Sequence, residues 1–193
     1  MRIAFVPSAP LLLPQLGGGP ADLRSAVQQA ISSLRGPVTV LGTGDPVGVR
    51  TGSVDATPWG HRGPPATDPL PLSLAVGAAV LGQRAGTLRA VDGSAVALAG
   101  DVLVVGDGTA KRTEKAPGHF DGRAEAVDAD IVAALSAGLA PEVDDQLAGE
   151  LLVGGHLAWR TVGRSVAGSF TGEVLYAGAP YGVGYVVATW IGS

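Results

Sequence analysis

Residues 2–45 read RIAFVPSAPLLLPQLGGGPADLRSAVQQAISSLRGPVTVLGTGD, and this stretch decides the fold. Arg2–Val6 is a short apolar run closed by Pro7, which predicts a strand. The Pro- and Gly-rich residues to Gly19 predict a loop. Pro20 suits the first turn of a helix, and Leu23, Val27, Ala30, Ile31 and Leu34 recur at helical spacing, so Pro20–Leu34 is expected to be a helix. Gly36-Pro37 stops it. Val38–Leu41 is then a second buried strand, ending in Gly42-Thr43-Gly44-Asp45. Strand, helix and strand joined by short connections predict a parallel βαβ crossover.

The same reading extends along the chain. Residues 44–71 are rich in Gly and Pro without periodicity and predict a long loop, a class that is often functional. Leu72–Leu81 predicts a helix. Thr87–Val91 and Ser94–Leu98 flank Asp92-Gly93, a pair typical of hairpin turns, and predict a hairpin. Asp101–Val105 is a third apolar strand. Phe120–Leu135 predicts a helix with Phe120, Ala124, Val127, Ile131 and Leu135 on one face. Pro141–Val153 predicts another, with a continuation to Arg164 left open. Glu173–Tyr176 and Gly184–Trp190 predict closing strands around the turn 177–183. The expected architecture is one α/β domain over residues 1–193, with a mostly parallel central sheet flanked by helices on both faces.

Composition narrows the chemistry. Of 193 residues, 46% are hydrophobic and 16% charged, which is ample for a core and unlike a disordered chain. There is no cysteine, so disulfides, thiolate metal sites and a cysteine nucleophile are excluded. Only three histidines occur, His61, His119 and His156, with no H-x-H, H-x-x-H or H-E-x-x-H pair among them. The formal net charge is −4 and no basic run exists, which argues against nucleic-acid binding. The apolar stretch 70–82 is shorter than the ~20 residues that span a bilayer. The prolines of the N-terminal stretch break up any signal-peptide core, so the expected location is the cytoplasm, with no membrane partner.

Ligands of open α/β sheets gather at the carboxyl ends of the strands. Four loops are expected there: 7–19, 42–50, 106–118 and 177–184. Gly42-Thr43-Gly44-Asp45 lacks the spacing of a phosphate-binding loop, and Pro46 breaks any following helix, so it reads as a tight turn. The densest polar stretch is GDGTAKRTEKAPGHFDGR (106–123). It holds both lysines of the chain, Lys111 and Lys115, together with Asp107, Thr109 and His119. It reads either as a pocket rim carrying acid–base groups or as a solvated loop whose Asp and Thr cap the next helix. His119 and Asp121 stand two residues apart, so the carboxylate is placed either to raise the imidazole pKa or to cap the helix. His156 reads as a packed histidine within a helix and His61 as a loop residue.

Three motifs in order carry a resemblance. VVGDGTAKRTEKAPGHFDGRAEAVDADIVAAL (104–135) resembles the segment of class III extradiol dioxygenases and their Memo-type relatives in which a strand ends in G-D-L-S-H, before a loop, F/Y-D and an acidic, alanine-rich helix start. APYGVGYVVATW (179–190) resembles their closing P-[FY]-G-V-G-Y strand pair. VPSAPLLLPQLGG (6–18) resembles their opening P-H-P-P-L-L-x-P-E-L. Within that superfamily the chain looks most like a short actinobacterial group of class III extradiol dioxygenase-like proteins.

The resemblance implies that fold and, in active members, a non-haem Fe(II) held by two histidines and a carboxylate or cysteine. Here the position of the first ligand histidine is Ser8. The strand expected to end in the second ends in Gly42-Thr43-Gly44-Asp45, with His61 the only histidine that a loop could return. The acid–base histidine of G-D-L-S-H aligns with Ala110, and the last ligand falls among Ala177, Gly178 and Ala179. The expectation is a fold of that type without its iron site, its ring cleavage or any other cofactor. It would bind a small molecule or a partner through Ser8, Asp45, Asp107, Thr109, Lys111, Tyr181 and Tyr185, with a homo-oligomer as a further expectation. The alternative is an enzyme, an oxidoreductase or another class, using relocated or metal-free catalytic residues in the same cleft, with Lys111, His119 and Asp107 as candidates.

Overall fold

The alternation of strands and helices is realised over all 193 residues described by the computed structural model. The strands are β1 (Arg2–Val6), β2 (Val38–Thr43), β3 (Gly48–Arg50), β4 (Ala85–Val91), β5 (Asp101–Val105), β6 (Phe170–Gly178) and β7 (Tyr185–Gly192). The helices are α1 (Ala21–Ser33), α2 (Leu72–Leu81), α3 (Ala124–Ser136), α4 (Asp145–Leu151) and α5 (His156–Ser165). One sheet contains every strand, in the order β3-β4-β2-β5-β1-β7-β6.

The expected βαβ unit is present, since β1 and β2 both pair in parallel with β5. The sheet as a whole is mixed, however, and not mostly parallel. β7 runs antiparallel to β1 and to β6, and β3 runs antiparallel to β4. For β6 and β7 the reason is connection length. The short turn between β6 and β7 can only reverse the chain, whereas a parallel return needs a crossover of a dozen or more residues.

Period-2 alternation divides each central strand between two cores. Ala4, Val6, Val40, Leu103 and Val105 face α1 and α2, while Ile3, Phe5, Leu41, Val102 and Val104 face α3, α4 and α5. Both faces are covered, which is why Val102–Val105 read as an unbroken apolar run and all five residues of β5 are buried. Helix α2 packs closely because of Gly77, where an added Cβ would collide with the Val40 side chain. Trp190 seals the second core. It is 1% exposed, stands edge-on to Phe5 at 4.6 Å and donates its indole N–H to the Leu135 carbonyl at 2.8 Å. No helix is long and apolar enough to cross a membrane.

Three expectations need correction. Residues 94–98 form no strand and no hairpin. β4 and β5 both run parallel to β2, so the segment between them must travel the length of the sheet. It is tied to α5 instead: the Thr161 hydroxyl accepts from the Gly93 N–H, the Ser165 hydroxyl accepts from the Val96 N–H, and Arg164 donates to the Gly93 carbonyl. The helix expected from Pro141 starts only at Asp145, where Asp144 caps it by accepting from the Gln146 and Leu147 N–H groups. It does not continue to Arg164, because Leu152 adopts a left-handed conformation with φ 54° and separates α4 from α5. Phe120 lies before α3 and is 57% exposed, so it takes no part in that helix's buried face. The loop 44–71 carries the short edge strand β3 and a 3-10 turn at Thr57–Trp59.

Candidate functional site

The carboxyl ends of β1 and β5 are neighbours, and this brings Ser8 and Asp107 together across 99 residues of sequence. The Ser8 N–H donates to Asp107 Oδ1 at 2.8 Å, and the Ser8 hydroxyl donates to Oδ2 at 2.5 Å. Both carboxylate oxygens are therefore engaged by one residue. The main chain around Asp107 is held as well, because its carbonyl accepts from the Gly155 N–H at 2.8 Å. The surrounding protein pushes the Asp107 carboxyl up from its usual 3.8 to about 6, and the two Ser8 hydrogen bonds oppose that rise without cancelling it.

The β6–β7 turn closes over the same end of the sheet. Its position follows from a backbone exchange in which the Gly108 N–H donates to the Gly184 carbonyl and the Gly184 N–H donates to the Thr109 carbonyl, both at 2.7 Å. The turn delivers Tyr185, which is 6% exposed. Its hydroxyl makes no hydrogen bond within the protein, yet no unpartnered polar side-chain atom is buried, so that hydroxyl reaches the surface. Burial raises the Tyr185 phenol, and the charges of Asp107, Tyr181 and Tyr176 raise it further. Tyr176 is raised by burial, by Asp22 at the start of α1 and by Tyr181. All three tyrosines of the chain thus sit within electrostatic range of one another, with a carboxyl among them. No lysine, arginine or histidine is among the groups that shift Asp107 or these phenols.

The other expected site residues are placed elsewhere. Thr109 is fully buried, and both its N–H and its hydroxyl donate to Asp128, at 2.8 and 3.0 Å. Arg112 pairs with the same carboxylate at 3.1 Å, so Thr109 is a structural tie between the polar loop and α3. Lys111 sits nearer Asp121, whose carboxyl it helps to hold low. His119 is an exposed residue with φ 59°, and its ring makes no hydrogen bond. Asp121 does not serve His119, nor does its side chain cap α3. It binds Arg123 through the N–H and guanidinium groups, which lower it to about 2. Asp45 is exposed and makes no hydrogen bond or ion pair, so it is not joined to the Ser8–Asp107 pair. Gly42 and Gly44 close against Ser73 and Pro71, which fits a tight turn filled by the start of α2.

His156 is packed, with Nδ1 at 2.7 Å from the Val153 carbonyl. His61 lies exposed in the loop that holds Asp55. Tyr176 is the site residue that sequence reasoning does not single out. Its signal is its place near the carboxyl end of a closing strand, where the hairpin register sets it opposite Val187.

An iron centre does not fit the donors that meet here. The donors beside one another are a single carboxyl and a serine hydroxyl that already donates to it, with no imidazole among them. No group of three or more His, Asp or Glu side chains is gathered anywhere in the chain. What the arrangement offers is a carboxyl that ionises near neutrality, a surface-reaching phenol beside it and two more phenols around them. No protein-family model matches the chain, and no curated protein matches it.

Proposed function

We propose that this chain is a metal-independent small-molecule-binding protein on an extradiol-dioxygenase-like fold, whose ligand meets Asp107 and the tyrosines at the carboxyl edge of the sheet. The observation that carries the reading is the closed Ser8–Asp107 pair, in which both carboxylate oxygens are already hydrogen-bonded. A neutral or cationic ligand fits best, because the Asp107 carboxyl is the acidic group of the site and no lysine, arginine or histidine side chain bonds to it.

The test is an NMR titration with catechol, dopamine and protocatechuate as neutral, cationic and anionic probes of one shape. The reading expects catechol and dopamine to shift the resonances of Tyr181, Tyr185 and Ser8, with protocatechuate weakest. Preference for the anion, or no shift at these residues, would remove it. The enzyme reading is supported by one observation, the Asp107 carboxyl held at about 6 beside the surface-reaching Tyr185 hydroxyl, which suits a general base. Lys111 and His119 do not belong to that version, since neither contacts Asp107.

A further inference from the structure

A cleft of about 480 Å³ lies between α3 and the β6–β7 hairpin; Tyr185 is among its lining residues, but neither Ser8 nor Asp107 is. Its volume falls within the range of ordinary ligand sites. Helix α3 lines it with Ala129, Val132 and Ala133, residues three and four apart that share one helix face. Outward helix faces normally carry charge, yet Ala129 and Ala133 are exposed there. One end of the cleft holds Arg112.

The guanidinium of Arg112 is oriented from behind. Nη1 donates to Asp128, a 9%-exposed residue whose carboxylate also accepts from Thr109. Nη2 donates to Glu125 at 3.1 Å, and that side chain is 81% exposed. Two of the five guanidinium N–H groups are used by these contacts. The buried carboxylate therefore fixes the fork, while the exposed one holds its outer nitrogen through an ion pair that solvent makes weak.

We propose that this cleft binds an aliphatic carboxylate, with its carboxylate on Arg112 in place of Glu125 and its hydrocarbon along Ala129, Val132 and Ala133. A bidentate carboxylate suits the planar fork of an arginine already held in place. The apolar wall is aliphatic and small, which matches an alkyl chain in shape. The two sites share Tyr185 at their border, but this inference rests on Arg112 and α3, which the reading at Asp107 does not use, so either can fail alone.

The experiment is titration of the full chain with butyrate, hexanoate and octanoate, followed by backbone NMR, with octanamide as the uncharged control. Affinity is expected to rise with chain length, and octanamide should bind at least about tenfold more weakly, as loss of a charge-assisted contact implies. Glu125→Ala frees the guanidinium and should tighten octanoate binding severalfold. Ala133→Phe fills the cleft from an exposed helix position and should abolish binding without altering the circular dichroism spectrum. Arg112→Lys keeps the charge but not the fork, and should weaken octanoate about tenfold. Octanoate binding that survives Ala133→Phe, equal affinity for octanamide, or no shift around Arg112 at millimolar octanoate would each overturn the proposal.

Discussion

Asp107→Asn should stabilise the protein at pH 8 and leave it nearly unchanged at pH 4. The carboxyl is held at about 6 in the folded chain against a usual 3.8. Between these values the folded state binds more protons than the unfolded state, so this residue makes stability fall as pH rises from about 4 to about 6. Above that window the whole cost is present, and a rise of this size corresponds to about 3 kcal/mol. Asparagine keeps one oxygen to accept from the Ser8 N–H, and its amide can donate to the Ser8 hydroxyl, so the pair is preserved without charge. Urea unfolding of both proteins at pH 4, 5, 6, 7 and 8 isolates the effect, because other titrating groups cancel in the difference. The expected difference grows from near zero to roughly 2–3 kcal/mol in favour of the variant. A difference that does not vary with pH, or a variant less stable at pH 8, would refute the claim that the fold holds this carboxyl against its preference.

Other consequences are as direct. Gly184→Ala would push a Cβ to 2.6 Å from the Asp128 carboxylate carbon, and should cost about 3 kcal/mol in urea unfolding by disturbing its ties to Thr109 and Arg112. Trp190→Phe loses the hydrogen bond to Leu135 and leaves a void in the second core, so about 2–4 kcal/mol should be lost. Tyr185 should not ionise before alkaline unfolding, so absorbance titrations of the wild type and Tyr185→Phe should coincide until the protein denatures.

How much of this is legible in the sequence follows from where each element draws its stability. The β1–α1–β2 unit, α2 and β5 are readable because apolar spacing and Pro or Gly boundaries are local signals, and burial follows them. The stretch 94–98 looks like a strand because alternation and Asp92-Gly93 are local too. Its fate is decided by sheet order, which sets β5 beyond β2 and denies it a hairpin partner. The break at Leu152 is hidden because a leucine gives no warning of a left-handed backbone. In the proposed site, the proximity of Ser8, Asp107 and Tyr185 is legible because they flank strand ends that the topology brings together. Lys111 and His119 share the loop of Asp107, but neither side chain bonds to it and Lys111 acts on Asp121, which sequence proximity does not reveal. Asp128 escapes notice because it reads as a surface carboxylate of a helix, whereas it accepts every hydrogen bond that Thr109 can donate.

The site proposed at Ser8 and Asp107 binds its ligand without a metal. Elemental analysis of protein purified without chelator, followed by anaerobic Fe(II) titration, tests it most directly. Far less than one equivalent of iron, zinc or manganese is expected as purified, with no saturable Fe(II) binding. One equivalent of metal, lost in Asp107→Asn, would contradict it.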